Sequence, residues 1–120
     1  MKSNVVKEKS FAFAIRIVNL YKFLTSEKKE FVLSKQLLRS GTAVGALVRE
    51  AEQGESKADF VHKLAIALKE ANETEYWLEL LVDTGCVPPK RMDDLLDETR
   101  QLIAIFTTID KKSKYTGRTL

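Results

Sequence analysis

The chain has 120 residues, 44% of them hydrophobic and 31% charged, with a single cysteine and a formal net charge of +3. A domain of this size buries about two-thirds of its unfolded surface, so a core needs neither disulfide nor metal, and one cysteine excludes an intrachain bridge. No apolar run approaches the ~20 residues of a membrane span, and no charged-then-apolar leader opens the chain; a cytoplasmic protein without a membrane partner is the expectation.

The first helix is predicted from about Asn4, as N-cap, to Leu24. Its main stripe is Val6, Phe13, Ile17, Leu20 and Leu24. The second runs from about Glu30 to Glu52 and stops before Gly54, with Leu33, Leu37, Ser40, Val44, Leu47, Val48 and Ala51 on one face. Ser56 with Asp59 three residues on forms a capping box that opens the third, which ends at Gly85. Its face holds Phe60, Val61, Leu64, Ala67, Leu68, Ala71, Leu78 and Val82. The fourth starts after Pro88-Pro89 and fades near Lys112. Met92, Leu95, Leu96, Thr99, Leu102, Ile103, Phe106 and Ile109 share its face at ~100° per residue.

No segment alternates with period two, so the fold class is all-α. Short loops between long helices imply antiparallel neighbours, hence an up-and-down four-helix bundle over residues 1–112. Residues 113–120 have no apolar period and read as a flexible basic C-terminal tail.

Two helices carry more apolar surface than one core-facing stripe. Phe11, Ile15 and Val18 point more than a quarter-turn from the main face of helix one, and Ile66, Trp77 and Leu80 lie off that of helix three. They either cover loop and helix edges within one subunit or form an interface between subunits, the favoured reading because Phe and Trp are typical interface anchors. Trp77 is the expected anchor. Gly41 and Gly45, four apart in helix two, each cost about 1 kcal/mol relative to alanine. With Ser34 they form a smooth strip for close helix packing, within or between subunits.

Arg16 and Glu75 intrude on apolar faces. A charge there needs a partner or must reach solvent along its stem. Arg16 is expected to pair with an acid, Glu75 or Glu50 being the candidates, unless it reaches water at the bundle edge. His62 is the only histidine; a two-metal bundle site needs Glu-x-x-His on two helices, which one chain cannot supply, so no metal is expected. Cys86 reads as a small apolar residue near a helix end. No phosphate-binding glycine loop, nucleophile–base pairing or cofactor motif occurs, so no catalytic residue is assigned and the protein reads as a non-enzyme.

Charge is uneven along the chain. Residues 1–29 carry seven bases and two acids, residues 55–85 three bases and seven acids. The two segments could attract each other as neighbours or mark a nucleic-acid footprint. Lys2, Lys9 and Arg16 recur every seven residues and could contact phosphates with Lys7 and Lys22; the tail adds Lys111, Lys112, Lys114 and Arg118. Phosphate contacts raise nucleic-acid affinity in proportion to their number.

The run QLLRSGTAVGALVREAEQGESKADFVHKLAIALKEANETEYWLELL, with FAFAIRIVNLYKFL ahead of it, resembles the bacterial four-helix bundle proteins, also called the 23S rRNA-intervening-sequence protein family. The likeness covers about residues 8–112. It implies an up-and-down bundle that assembles into a homopentamer. A related branch, the accessory proteins of diversity-generating retroelements, forms basic pentamers that bind nucleic acid and a reverse transcriptase. Arg16, Arg39 and Glu50 match charged positions of the pattern. Ala43 and Leu47 depart from it, standing where members commonly have Ser and Asn. The expected function is a self-assembling interaction scaffold with RNA or DNA as candidate partner. The alternative is a protein-only adaptor that displays the acidic surface of helix three to a protein partner.

Overall fold

The computed structural model describes residues 3–119, and side chains from Val5 to Lys114. Four helices follow one another: α1 (Ser3–Ser26), α2 (Leu33–Glu52), α3 (Lys57–Asp83) and α4 (Pro89–Thr119). Each packs on the next, and α1 closes on α4. This is the up-and-down bundle that the short loops predict, and no strand occurs among the described residues. The α1–α4 seam is the most loosely packed of the four.

The apolar stripes meet along the axis. Phe13, Ile17 and Leu24 of α1, Leu37 and Val44 of α2, Ala71, Leu78 and Leu81 of α3, and Met92, Leu102 and Phe106 of α4 are all buried. Several predicted core positions lie at its edge instead: Leu20, Leu33, Leu47, Phe60, Leu68, Val82, Leu96, Ile103 and Ile109 are half-buried against the buried set. Few polar groups enter. Thr74 and Ser40 are buried with their hydroxyls 2.9 Å apart, and Thr74 lies 2.8 Å from the Glu70 carbonyl, so the pair satisfies itself between α2 and α3.

Helix ends show where local chemistry governs. Ser56 accepts the Asp59 N–H at 3.1 Å, opening α3 as the capping box predicts. Gly85 has φ +81°, the left-handed conformation that glycine adopts without strain. Around it the Cys86 N–H donates to the Leu81 carbonyl at 2.9 Å and the Gly85 N–H to Val82 at 3.0 Å, closing α3 with the paired bonds of a Schellman turn.

Several boundaries differ from the predicted ones, by a residue or two at most ends and by more at two of them. Asn4 lies inside α1, which starts at Ser3. Glu30 does not begin α2 but caps it: its carboxylate accepts the N–H groups of Val32 at 3.1 Å, Leu33 at 2.9 Å and Ser34 at 2.7 Å. A side chain that satisfies three of the first free N–H groups must stand ahead of the helix, which moves the start to Leu33. Finally, α4 does not fade near Lys112 but runs to Thr119. Ser113 donates to the Ile109 carbonyl at 2.9 Å, Lys114 pairs with Asp110 at 3.2 Å across one turn, and no proline interrupts the segment.

Burial pushes the Glu30 carboxyl up, but the bonds from Leu33, Ser34 and Val32 outweigh it and hold the group below its ordinary value of 4.5. A depressed folded-state value gives stability that is present above the unfolded value and lost as pH falls through the folded one. Glu30→Gln is expected to lose about 1–2 kcal/mol at pH 7, the usual cost of a weakened N-terminal cap. Urea unfolding of wild type and variant should show that gap beginning to narrow as pH falls below about 4.5, where the unfolded chain takes up the proton, and closing as pH falls through the lower folded-state value. A gap that stays constant down to pH 3 would contradict the assignment.

Candidate interaction surfaces

At 100° per residue, α1 presents three flanks beside its buried stripe. One faces α4. Lys9 donates to the Gln101 side chain there, and Arg16 Nη1 lies 2.9 Å from Glu98 Oε1. The expected pairing of Arg16 is therefore found with a different acid, neither Glu75 nor Glu50. Glu75 sits on the α4-facing flank of α3, where Arg100 Nε donates to it at 2.8 Å. Glu50 sits on the α3-facing flank of α2 and accepts from Lys63 at 3.0 Å. Neither flank adjoins the one that carries Arg16, whereas Glu98 lies directly across the seam.

The second flank of α1 faces α2. Lys7 pairs there with Glu52 at 3.6 Å. A Cβ on Gly41 would lie 2.7–3.0 Å from three side-chain carbons of Ile17, and one on Gly45 3.2 Å from the Ser10 carbonyl oxygen. The glycine strip thus lets α1 approach α2 within the subunit. Ser34, at the start of the strip, donates its hydroxyl to the Glu30 carbonyl at 2.7 Å.

The third flank points outward. Phe11 is 51% exposed and Ile15 48%, with Val18 half-buried beside them. The Arg49 guanidinium lies 4.9 Å from the Phe11 ring centre and covers part of it. The corresponding residues of α3 are placed differently. Ile66, Trp77 and Leu80 are half-buried, and Trp77 packs against the core of its own chain. Its indole N–H donates to Glu73 at 3.0 Å, and Tyr76 meets it edge-on at 5.0 Å between ring centres. The outward aromatic on α3 is Tyr76, at 57% exposure, a residue its sequence periodicity does not distinguish from other surface positions. Phe31 and Val32, in the α1–α2 loop, are also exposed.

Much of the negative charge of α3 is paired with neighbouring helices. Arg39 bridges α2 to Glu70 at 3.2 Å and to Glu73. Those carboxylates raise the guanidinium above its ordinary value, while the Trp77 indole and then Arg39 hold Glu73 below its own. Arg100 reaches Glu75 and also Glu79, at 3.5 Å, and its bond to Glu75 raises it in the same way. Four of the acids that make α3 negative are thus engaged by arginines on neighbouring helices. One oxygen each of Glu52, Glu70 and Glu98 is buried without a hydrogen-bond partner, so these acids depend on the cations that hold their other oxygens.

The basic candidates do not form one cluster. Lys9 and Arg16 face α4 and Lys7 faces α2, while Lys22 stands exposed. Lys111, Lys112 and Lys114 lie on the last turns of α4, at the opposite end of the molecule from Lys22. Lys2 lies outside the described residues, as does the Arg118 side chain. Next to Lys112, an apolar groove of about 500 Å³ opens between Phe60 and Val61 of α3 and Ile105 and Ile109 of α4, with Lys57 at its rim.

His62 is exposed and Cys86 half-buried as a free thiol. Among the described residues no group of histidine, cysteine and carboxylates could hold a metal ion, and no helix is long and apolar enough to cross a membrane.

Residues 2–108 match the profile of the 23S rRNA-intervening sequence protein. The chain belongs to that family. Among solved structures it is similar to a protein of unknown function from the S23 ribosomal protein family of Bacteroides thetaiotaomicron. The two are 58% identical and superpose with a TM-score of 0.89, over 92% of this chain and 99% of that one. No curated protein matches the chain. The family is one of unknown function, and nothing in the comparisons suggests catalysis.

Proposed function

We propose that the chain is a protomer of a homo-oligomer, a pentamer by family resemblance, and that the assembly is a non-enzymatic scaffold in the cytoplasm that binds RNA or DNA. The observation that carries this reading is the outward flank of α1. Phe11 and Ile15, one turn apart, leave about half of their surface in water although the bundle core is complete without them. Aligned apolar side chains of this size gain from burial against another surface, at about 25 cal/mol per Å². Their place one turn apart on one helix suits a ring contact between copies. The engagement of Glu70, Glu73, Glu75 and Glu79 by Arg39 and Arg100 weakens the alternative, an adaptor whose acidic α3 surface recruits a protein.

Size exclusion with light scattering tests the assembly. Wild type is expected at about five times 13.6 kDa. Phe11→Glu with Ile15→Lys should run as a monomer with unchanged helical circular dichroism. A wild-type mass of 13.6 kDa would refute the scaffold. Nucleic-acid binding is tested by titrating labelled single-stranded RNA at rising salt: micromolar or tighter affinity that falls steeply with salt supports it, and no binding at low salt leaves only the assembly.

A further inference from the structure

At the end of the bundle away from the apolar groove, α1 and α4 part to leave a cleft of about 200 Å³. Its floor is Leu20, Val87, Met92 and Leu95, and its polar walls are Arg16, Asn19 and Arg91. Phe23 stands at the mouth and holds two cations: the Arg91 guanidinium lies 4.1 Å from the ring centre and Lys28 Nζ 5.9 Å from it. The two charges therefore sit within about 10 Å of each other, roughly one Debye length at 0.1 M salt, and repel. Neither makes an ion pair among the described residues, although Asp94 stands one turn along α4 from Arg91. Glu98 offsets only Arg16, with one oxygen on the guanidinium and the other turned into the protein. Elsewhere in the bundle the interhelical arginines, Arg39 and Arg100, each engage two carboxylates. Here two arginines line one cleft with a single carboxylate bonded to them, and Lys28 stands by the Phe23 ring at its mouth.

We propose that this cleft binds the phosphate group of a ligand. Arg91 is positioned to grip two phosphate oxygens with its planar fork, as guanidinium geometry favours. The Asn19 amide, exposed and without a hydrogen-bond partner among the described residues, supplies a neutral donor. Lys28 neutralises the remaining charge, and Phe23 holds both cations in place. The apolar floor behind the arginines accommodates the uncharged part of a phosphate ester. For a nucleic-acid ligand the site rests on the reading above; for a free phosphate it does not.

The test is a titration of isotope-labelled protein followed by NMR, reading the Arg91 Nε–H and Asn19 side-chain amide signals. The probes are inorganic phosphate, a short single-stranded RNA, and sodium chloride at matched ionic strength. Saturable shifts with phosphate or RNA but not with chloride are expected, weakened at least tenfold in Arg91→Gln and in Lys28→Gln and unchanged in Lys57→Gln at the far end. Saturation by phosphate alone supports the site while removing its nucleic-acid ligand. RNA that binds the protein without moving these signals, or with equal affinity in Arg91→Gln, overturns the site and leaves RNA binding in place. No response to either probe, or the same response to chloride, also overturns it. Arg91 and Lys28 are exposed, so both variants retain the core, which circular dichroism checks directly.

Discussion

Gly41→Leu is expected to destabilise the bundle by about 3 kcal/mol or more, a large share of the ~5–15 kcal/mol typical of a single domain. A Cβ at this position alone would stand 2.7–3.0 Å from Ile17 Cγ1, Cγ2 and Cδ1. Ile17 is fully buried, and a β-branched side chain in a helix has essentially one rotamer, so it cannot turn aside. α1 as a whole would have to move away from α2, loosening the core between them. Even Gly41→Ala, which gains about 1 kcal/mol of helix propensity, is expected to lose about 1 kcal/mol net, because overpacking costs ~1–3 kcal/mol. The decisive measurement is a double-mutant cycle with Ile17→Ala by urea unfolding at a fixed protomer concentration, since assembly makes stability concentration-dependent. Gly41→Ala should cost less in the Ile17→Ala background than in the wild type. Equal stability of Gly41→Leu and wild type would mean that the two helices are not held at this separation.

The second large effect separates two phenylalanines. Phe106 is 1% exposed at the centre of α4, and Phe106→Ala is expected to cost about 3–5 kcal/mol through lost burial and the cavity left behind. Phe11, half exposed, has the Arg49 guanidinium over its ring. In a dilute monomeric background Phe11→Ala is expected to cost about 1 kcal/mol, well below the cost at Phe106, because half of its surface is already in water. In the assembled protein the same change should lower both thermal stability and oligomer mass. If Phe11→Ala destabilised the isolated protomer as much as Phe106→Ala, its ring would belong to the core, and the outward flank of α1 would lose its meaning as an interface.

How much was legible follows from what each feature depends on. Stripes at 3.6-residue spacing placed Phe13, Ile17, Leu37, Val44, Leu78, Leu102 and Phe106 in the core, because a helix settles which side chains share a face without reference to anything else. Ser56 and Gly85 marked the two ends of α3, because a cap and a left-handed turn are bonds between residues at most five apart. The candidate surfaces were only half legible. Phe11 and Ile15 showed as a second stripe and do point outward; Trp77 shared that signature, yet its indole lies on its own core with Glu73 for a partner. The pairing of Phe23 with Arg91, far along the chain, carries no signature in periodicity at all.

The sequence by itself determined the number of helices, their buried faces, the short connections, and hence an up-and-down bundle. These follow from local hydrogen bonding and from the segregation of apolar side chains. Only the tertiary structure decided which flank of each helix meets which neighbour. It therefore decided that Arg16 pairs with Glu98 rather than Glu75 or Glu50, that Gly41 receives Ile17 of its own chain, and that Glu30 folds back to cap α2. It also decided that α4 continues to Thr119, where no apolar period is left to mark a helix. Helical periodicity gives an angle around one axis; the partner at that angle depends on how four axes are arranged, and that arrangement exists only in the folded chain.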